Sequence, residues 1–137
     1  MSEYRHYDEV AVGDVFPAEP LRFMVTREKV ASFLQATGNR NPAYASGTGQ
    51  APSMMAAIYL IELLRHRKSP PGGIHAKQAI RFHRPLAVNE TLLLQGWVVE
   101  KYLRKERPYV VSDFEARGDD GELVASGRVT SIWGKDP

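Results

Sequence analysis

Few residues of this chain could do chemistry. It has no cysteine, which removes a thiol nucleophile, a Cys-ligated zinc site and a disulfide framework. Four histidines remain, His6, His66, His75 and His83. They show no ligand spacing such as His-x-x-x-His, so no metal is expected, and no other cofactor is expected either. His75 follows Gly72-Gly73 and opens the second half of the chain. An imidazole titrates close to neutral pH, which suits a general base. The competing reading makes His75 a polar residue that lines a groove or bonds to backbone. His83 alternates with Ile80 and Phe82 and shares a side with Arg81, so a solvated face is expected for it. His6 and His66 read as surface residues.

The segment Asn39–Gln50, NRNPAYASGTGQ, is twelve residues of turn formers without periodicity, and loops of that length often carry function. Asn39, Asn41, Pro42 and Tyr44 have two readings there. They touch a substrate, or they fix the turn, since an Asn side chain can close a local turn. Gly47-Thr48-Gly49-Gln50 lacks the lysine and the preceding strand of a phosphate-cradling loop. As the lead into a helix it is more useful. Backbone N–H groups of Gly49, Gln50, Ala51 and Ser53 could bind a carbonyl oxygen, Pro52 having none to offer. Arg65-His66-Arg67-Lys68 either meets phosphate or forms a solvated helix end, where cations compensate the dipole. Arg81 and Arg84 are similar candidates.

Positioning these residues requires a set of elements. Leu21, Phe23 and Val25 alternate as a short strand over Leu21–Thr26. Thr26 reads as a helix N-cap with Glu28 in the first turn, and Gly38 as the stop. Val30, Phe33 and Leu34 form that helix's apolar stripe. Pro52 suits the first turn of a second helix. Met54, Met55, Ile58, Tyr59, Leu60, Ile61, Leu63 and Leu64 cover nearly all its faces, and such a helix is expected to be buried on all sides. Ser69-Pro70-Pro71-Gly72-Gly73 must be a loop. Four strand-like runs follow, Lys77–Arg84, Thr91–Leu103, Tyr109–Arg117 and Glu122–Trp133, with a hairpin turn at Gly118-Asp119-Asp120-Gly121. The layout is α+β: a short strand, two helices and an antiparallel meander wrapped around one apolar helix, as in a hotdog fold. Such a sheet leaves its convex face and an edge strand open, so an oligomer is expected.

At 137 residues the chain has room for one domain, spanning 1–137, with a self-sufficient core. Eighteen Lys+Arg against sixteen Asp+Glu give a net charge of +2, too even for a nucleic-acid face. The longest apolar run, Ala51–Leu64, makes a helix about 21 Å long, short of the about 30 Å of a bilayer core. The N-terminal stretch MSEYRHYDEVAVGD has no apolar core of the signal-peptide type. No membrane span is expected, and the cytoplasm is the expected location.

Several stretches, in this order and spacing, carry a resemblance that spans about Tyr7 to Trp133. They are Tyr7–Asp14 with its Val-Gly-Asp turn, Thr37-Gly38-Asn39-Arg40-Asn41-Pro42-Ala43-Tyr44, Ile74-His75-Ala76-Lys77-Gln78, Phe82-His83-Arg84-Pro85-Leu86, and Asp119–Ala125. Together they resemble the MaoC-like hydratase/dehydratase family of hotdog proteins, in the branch called the FAS1-like dehydratase N-terminal domain. The resemblance implies reversible addition of water to a 2-enoyl thioester of coenzyme A or a carrier protein. In active members the loop reads Gly-Asp-x-Asn-Pro-x-His. The Asp and His activate the water, and a helix N-terminus stabilises the developing enolate oxygen.

Here Asn39 takes the Asp position and Tyr44 the His position. An amide is no base, and an ordinary phenol stays protonated at neutral pH. Asn41 and Pro42 remain, so the loop shape is expected to persist. The branch often pairs a catalytic unit with one that has lost the dyad and shapes the acyl channel. By resemblance this chain is the second kind, a non-catalytic subunit in a heteromer with a catalytic hotdog partner. Its substrate-binding residues would be Asn39, Asn41, Pro42, Tyr44, Gly49, Ala51 and Ser53, with His75 as the outside catalytic candidate. The basic run 65–68 would then be placed to meet coenzyme A phosphates. Two alternatives stay open: a homodimeric module that binds acyl thioesters or another apolar ligand, and a hotdog thioesterase. The thioesterase needs a carboxylate near the helix start, where the nearest acids in sequence are Glu62, Asp14 and Glu28.

Overall fold

The first strand is longer than its alternation indicates. In the computed structural model, which describes residues 3–45 and 47–135, β1 runs Val15–Met24. It pairs antiparallel with β5 (Thr91–Arg104), with an irregularity between Phe16 and Leu21. That irregularity breaks the alternation and hides the first half of the strand from a period-two reading. Phe16 packs edge-on against Phe114 at 5.9 Å. A Cβ on Gly96 would come within 2.8 Å of the Phe16 ring, so only glycine leaves the ring its place.

Helix α1 (Arg27–Thr37) has the ends its sequence predicts. The Thr26 Oγ1 accepts from the Lys29 N–H at 3.2 Å, and Gly38 closes the helix in the left-handed region at φ 67°. Val30 is buried, and Phe33 and Leu34 pack against the core. A 3-10 turn at Pro42–Tyr44 follows. Then Gln50–Ala51 (β2) pairs with Leu86–Ala87 (β4), a small sheet that the sequence reading did not contain.

Helix α2 runs Met54–Glu62 and tightens into a 3-10 segment over Leu63–Arg67. It packs on β6 (Arg107–Arg117) and β7 (Leu123–Ile132). Met55, Ala56, Tyr59, Leu60 and Leu63 meet Leu92, Leu94, Val110, Phe114 and Val129 in one core. Each large side chain buried there contributes about 1.5–3 kcal/mol. The expectation that α2 is buried on all sides fails. Met54, Ile58 and Ile61 remain 56%, 45% and 43% exposed. Their spacing places them on one stripe, and a sheet on one side of a helix cannot cover the opposite stripe.

The large sheet has the order β1-β5-β6-β7-β3, with β3 at Ile74–Phe82. Only β5, β6 and β7 form a meander of sequential neighbours, so the four runs are not one meander. β3 lies beside β7 at the far edge, because β1 already occupies the free side of β5. The turn 118–121 closes β6 onto β7 as expected, with Gly121 N–H donating to Gly118 O at 2.9 Å.

Candidate functional site

The loop after α1 is held by its own amides. The Asn39 Oδ1 accepts from the Asn41 N–H at 2.9 Å, and the Asn41 Oδ1 from the Ala43 N–H at 3.0 Å. The Tyr44 N–H donates to Asn41 O at 3.1 Å. These are Asx turns in which a side-chain oxygen stands in for a backbone carbonyl. The turn-fixing reading of both asparagines therefore has a direct physical basis. Asn39 and Tyr44 are half-buried, and Asn41 and Pro42 are exposed. The turn at Pro42–Tyr44 lies close to β2.

The backbone donors before α2 are partly engaged. The Gln50 N–H donates to Thr48 Oγ1 at 3.3 Å, and Ala51, which is buried, sits opposite Leu86 in the small sheet. Gly49 is exposed and its carbonyl accepts from the Val88 N–H at 2.9 Å. Ser53 has helical backbone angles and makes no side-chain cap. Its carbonyl accepts from Ala56.

Near these residues an apolar groove of about 320 Å³ opens between the two helices. Glu28, Ser32, Phe33, Met55, Ile58 and Tyr59 are among the residues lining it. None of the loop candidates at 39–44 is among them, nor are Gly49, Ala51 and Ser53. Tyr59 is only 8% exposed and stacks on Phe23 at 4.8 Å. Its hydroxyl is buried without a hydrogen-bond partner among the described residues, and burial raises its pKa. A buried phenol left unpaired is a hydrogen-bond donor waiting for an acceptor. Sequence reasoning assigned Tyr59 to the core. The stripe of apolar residues at helical spacing gave no sign that its one polar tip would be buried without a partner.

His75 lies elsewhere. It is exposed on β3, opposite Ser131, next to the register shift between His75 and Lys77. It lines a separate cleft with Arg67 and Ser69, and the loop at 39–44 contributes nothing to that cleft. His83 is exposed, as its alternation predicts, and its Nε2 lies 2.8 Å from Ser126 Oγ.

Two of the arginine expectations are corrected. Arg67 does not belong to a solvated helix end: it is 8% exposed, stacked over Trp133 at 5.3 Å, and its Nη1 donates to Ser131 Oγ at 3.2 Å. The 3-10 tightening after Glu62 turns it inward, while Arg65, His66 and Lys68 stay exposed. Arg84 is engaged by acids and is not available for phosphate. It bonds to Glu90 and lies 3.6 Å from Asp120 and 3.4 Å from Glu122, and the bond to Glu90 leads the causes that raise its pKa.

The three acids weighed for hydrolysis are also placed. Asp14 accepts from the Ala11 N–H and from Arg5, each at 2.8 Å. Glu62 pairs with Arg65 at 3.4 Å. Glu28 alone of the three lies on the groove.

No protein-family model and no curated protein matches the sequence. Solved structures do resemble the fold. The (R)-hydratase PhaJ1 from Pseudomonas aeruginosa superposes with a TM-score of 0.81 at 19% identity, over 95% of this chain and 86% of that one. A chain of the HadBC 3R-hydroxyacyl-ACP dehydratase complex from Mycobacterium tuberculosis gives 0.70 at 23%, over 90% and 96%. A chain of the ChsH1-ChsH2 complex from the same organism gives 0.69 at 16%, over 90% and 98%. The architecture is thus an α+β hotdog. These solved structures share that fold, and two of them are complexes of two named proteins. Among the described residues no helix is long and apolar enough to cross a membrane.

Proposed function

We propose that this chain is the non-catalytic subunit of an acyl-thioester hydratase/dehydratase of the MaoC-like kind. It binds the acyl part of a 2-enoyl thioester of coenzyme A or a carrier protein, and a hotdog partner supplies the base and acid. The observation that carries this reading is the loop at 39–44. Its two asparagine side chains accept hydrogen bonds from the loop's own backbone, and the position of the family's histidine holds Tyr44. Hydration needs one group to take a proton from water and another to deliver one to the α-carbon. Asn39 is an amide and cannot take the proton from water, and residues 39–44 hold no carboxylate or imidazole. The groove beside α2 supports the binding half of the reading, with apolar walls for an acyl chain.

The test is hydration of crotonyl- and longer enoyl-coenzyme A by the purified chain, followed by loss of the conjugated thioester absorbance. No turnover is expected from the chain alone. Clear turnover overturns the proposal, and His75→Ala then asks whether the base has moved. Glu28 on the groove favours one second reading, a hotdog thioesterase. A separate thiol-release assay distinguishes it, because a thioesterase frees thiol from saturated acyl-coenzyme A, hydration does not, and Glu28→Gln would abolish that release.

A further inference from the structure

Arg67 is a buried cation without a counter-ion. No carboxylate pairs with it among the described residues, and its hydrogen-bond partner is the neutral Ser131 hydroxyl. The Nε is buried without any partner. One face of the guanidinium is covered by the Trp133 ring. Burial pushes its pKa down to about 10, which still leaves it charged at neutral pH. Taking a charge out of water is costly unless an opposite charge meets it, so an arginine held this way is poised for an anion.

The space for one is present. A cleft of about 310 Å³ lies against Arg67, walled by the loop at Ser69–Gly73 on one side and by Ile74, His75 and Ser131 on the other. The walls are fixed by close backbone approach. A Cβ on Gly134 would fall 1.9 Å from Pro70 O, and one on Gly73 would fall 3.1 Å from Ile132 O. The Gly134 N–H donates to Ser69 Oγ at 3.3 Å. Unlike Nε, the Nη2 is not among the sealed, unpartnered atoms, and no hydrogen bond engages it among the described residues. Ser131 accepts from Nη1 and keeps its own proton to give. His75 stands at the rim. Among the described residues the cleft lining holds two cationic or titratable groups, Arg67 and His75, and no acid.

We infer that this cleft is an oxyanion site, for a carboxylate or phosphate group, with the Arg67 guanidinium as its charge and the Ser131 hydroxyl as its second donor. A planar fork of N–H donors matches two oxygens of either group. None of the residues lining the α1–α2 groove takes part in this site.

Trp133 lies on Arg67 and reports occupancy. In a Trp97→Phe background, the protein is titrated with sodium phosphate and, separately, sodium acetate, with ionic strength held constant by chloride. Expected is a saturable change in Trp133 fluorescence with a rise in Tm. The anion that saturates at the lower concentration names the group. Arg67→Gln is expected to weaken the response at least tenfold, and Ser131→Ala several-fold. A response no different from chloride overturns the inference, as does one that keeps its midpoint in Arg67→Gln. Should Arg67→Gln fail to fold, Ser131→Ala decides in its place: an unchanged midpoint there overturns the site.

Discussion

Tyr59 sets two demands against each other. Its ring belongs to the core, stacked on Phe23, while its hydroxyl is buried with nothing to bond. An unpaired buried hydroxyl costs about 1–3 kcal/mol, so the ligand-free protein should not miss it. Tyr59→Phe is expected to leave stability in urea unchanged or raise it by about 1 kcal/mol. The same variant should bind butyryl-coenzyme A as the unaltered chain does by titration calorimetry, since the hydroxyl is sealed from the groove. A loss of stability in Tyr59→Phe would show that the hydroxyl finds a partner in solution. Asp14 makes the opposite case, a polar group fully used. The Ala11 amide lowers its pKa first and Arg5 adds to that, against desolvation. The folded state therefore favours the carboxylate. Its stabilisation is present above the ordinary carboxylate pKa and is lost as pH falls through the lower folded value. Asp14→Asn should cost about 1 kcal/mol at pH 7, discounted for partial exposure. The gap should close as pH falls below about 4, which urea melts at neutral and acid pH would show.

At the scale of elements, the Pro-Gly loop rests on β7 through glycine. A methyl at Gly134 meets the Pro70 carbonyl, a backbone atom that cannot step aside. Gly134→Ala should cost about 1–3 kcal/mol. Gly118→Ala meets the movable ends of Arg84 and Glu90 and should cost less, a ranking that thermal melts would test. The elements also divide by what a sequence can express. The two ends of α1 were legible because a cap is a local event: Thr26 and Gly38 act within four residues of themselves. The place of β3 beside β7 was not, because strand alternation says which residues share a face and nothing about which strand lies next. The open stripe of α2 was hidden for a related reason. Periodicity marked Met54, Ile58 and Ile61 as apolar, and only the path of the sheet decides which stripe it covers. Arg67 looked like its three basic neighbours, and the inward turn that buries it comes from the tightening of the helix end against Trp133. In the candidate site, the Asx turns were legible because Asn39 and Asn41 each act on an amide two residues on. The groove and the orphan hydroxyl needed two helices placed side by side.

At the scale of the whole molecule, the open edge asks for a partner, and its charge says which kind. β3 pairs with β7 on one side only, and eight of its nine residues are exposed. Gln78 and Ile80 lie opposite Val129 and Gly127, and Val129 faces the core. Lys77, Ala79 and Arg81 therefore share the other face, with no acid anywhere in the strand. A two-fold antiparallel pairing of this edge with itself keeps each residue on its own face. It gathers two copies of Lys77 and two of Arg81 there, and like charges directly opposite cost about 0.2–1 kcal/mol per pair. A partner strand bearing acids on that face gains where a second copy loses, which fits the heteromer proposed for this chain. Sedimentation should thus find self-association weak at low salt and strengthened as salt screens the repulsion. A Lys77→Glu, Arg81→Glu double variant mixed with the unaltered chain should form a mixed pair at low salt that neither forms alone. A self-dimer that is tight at low salt and indifferent to the double substitution would place the partner on another surface, with the apolar stripe of α2 the next one to examine.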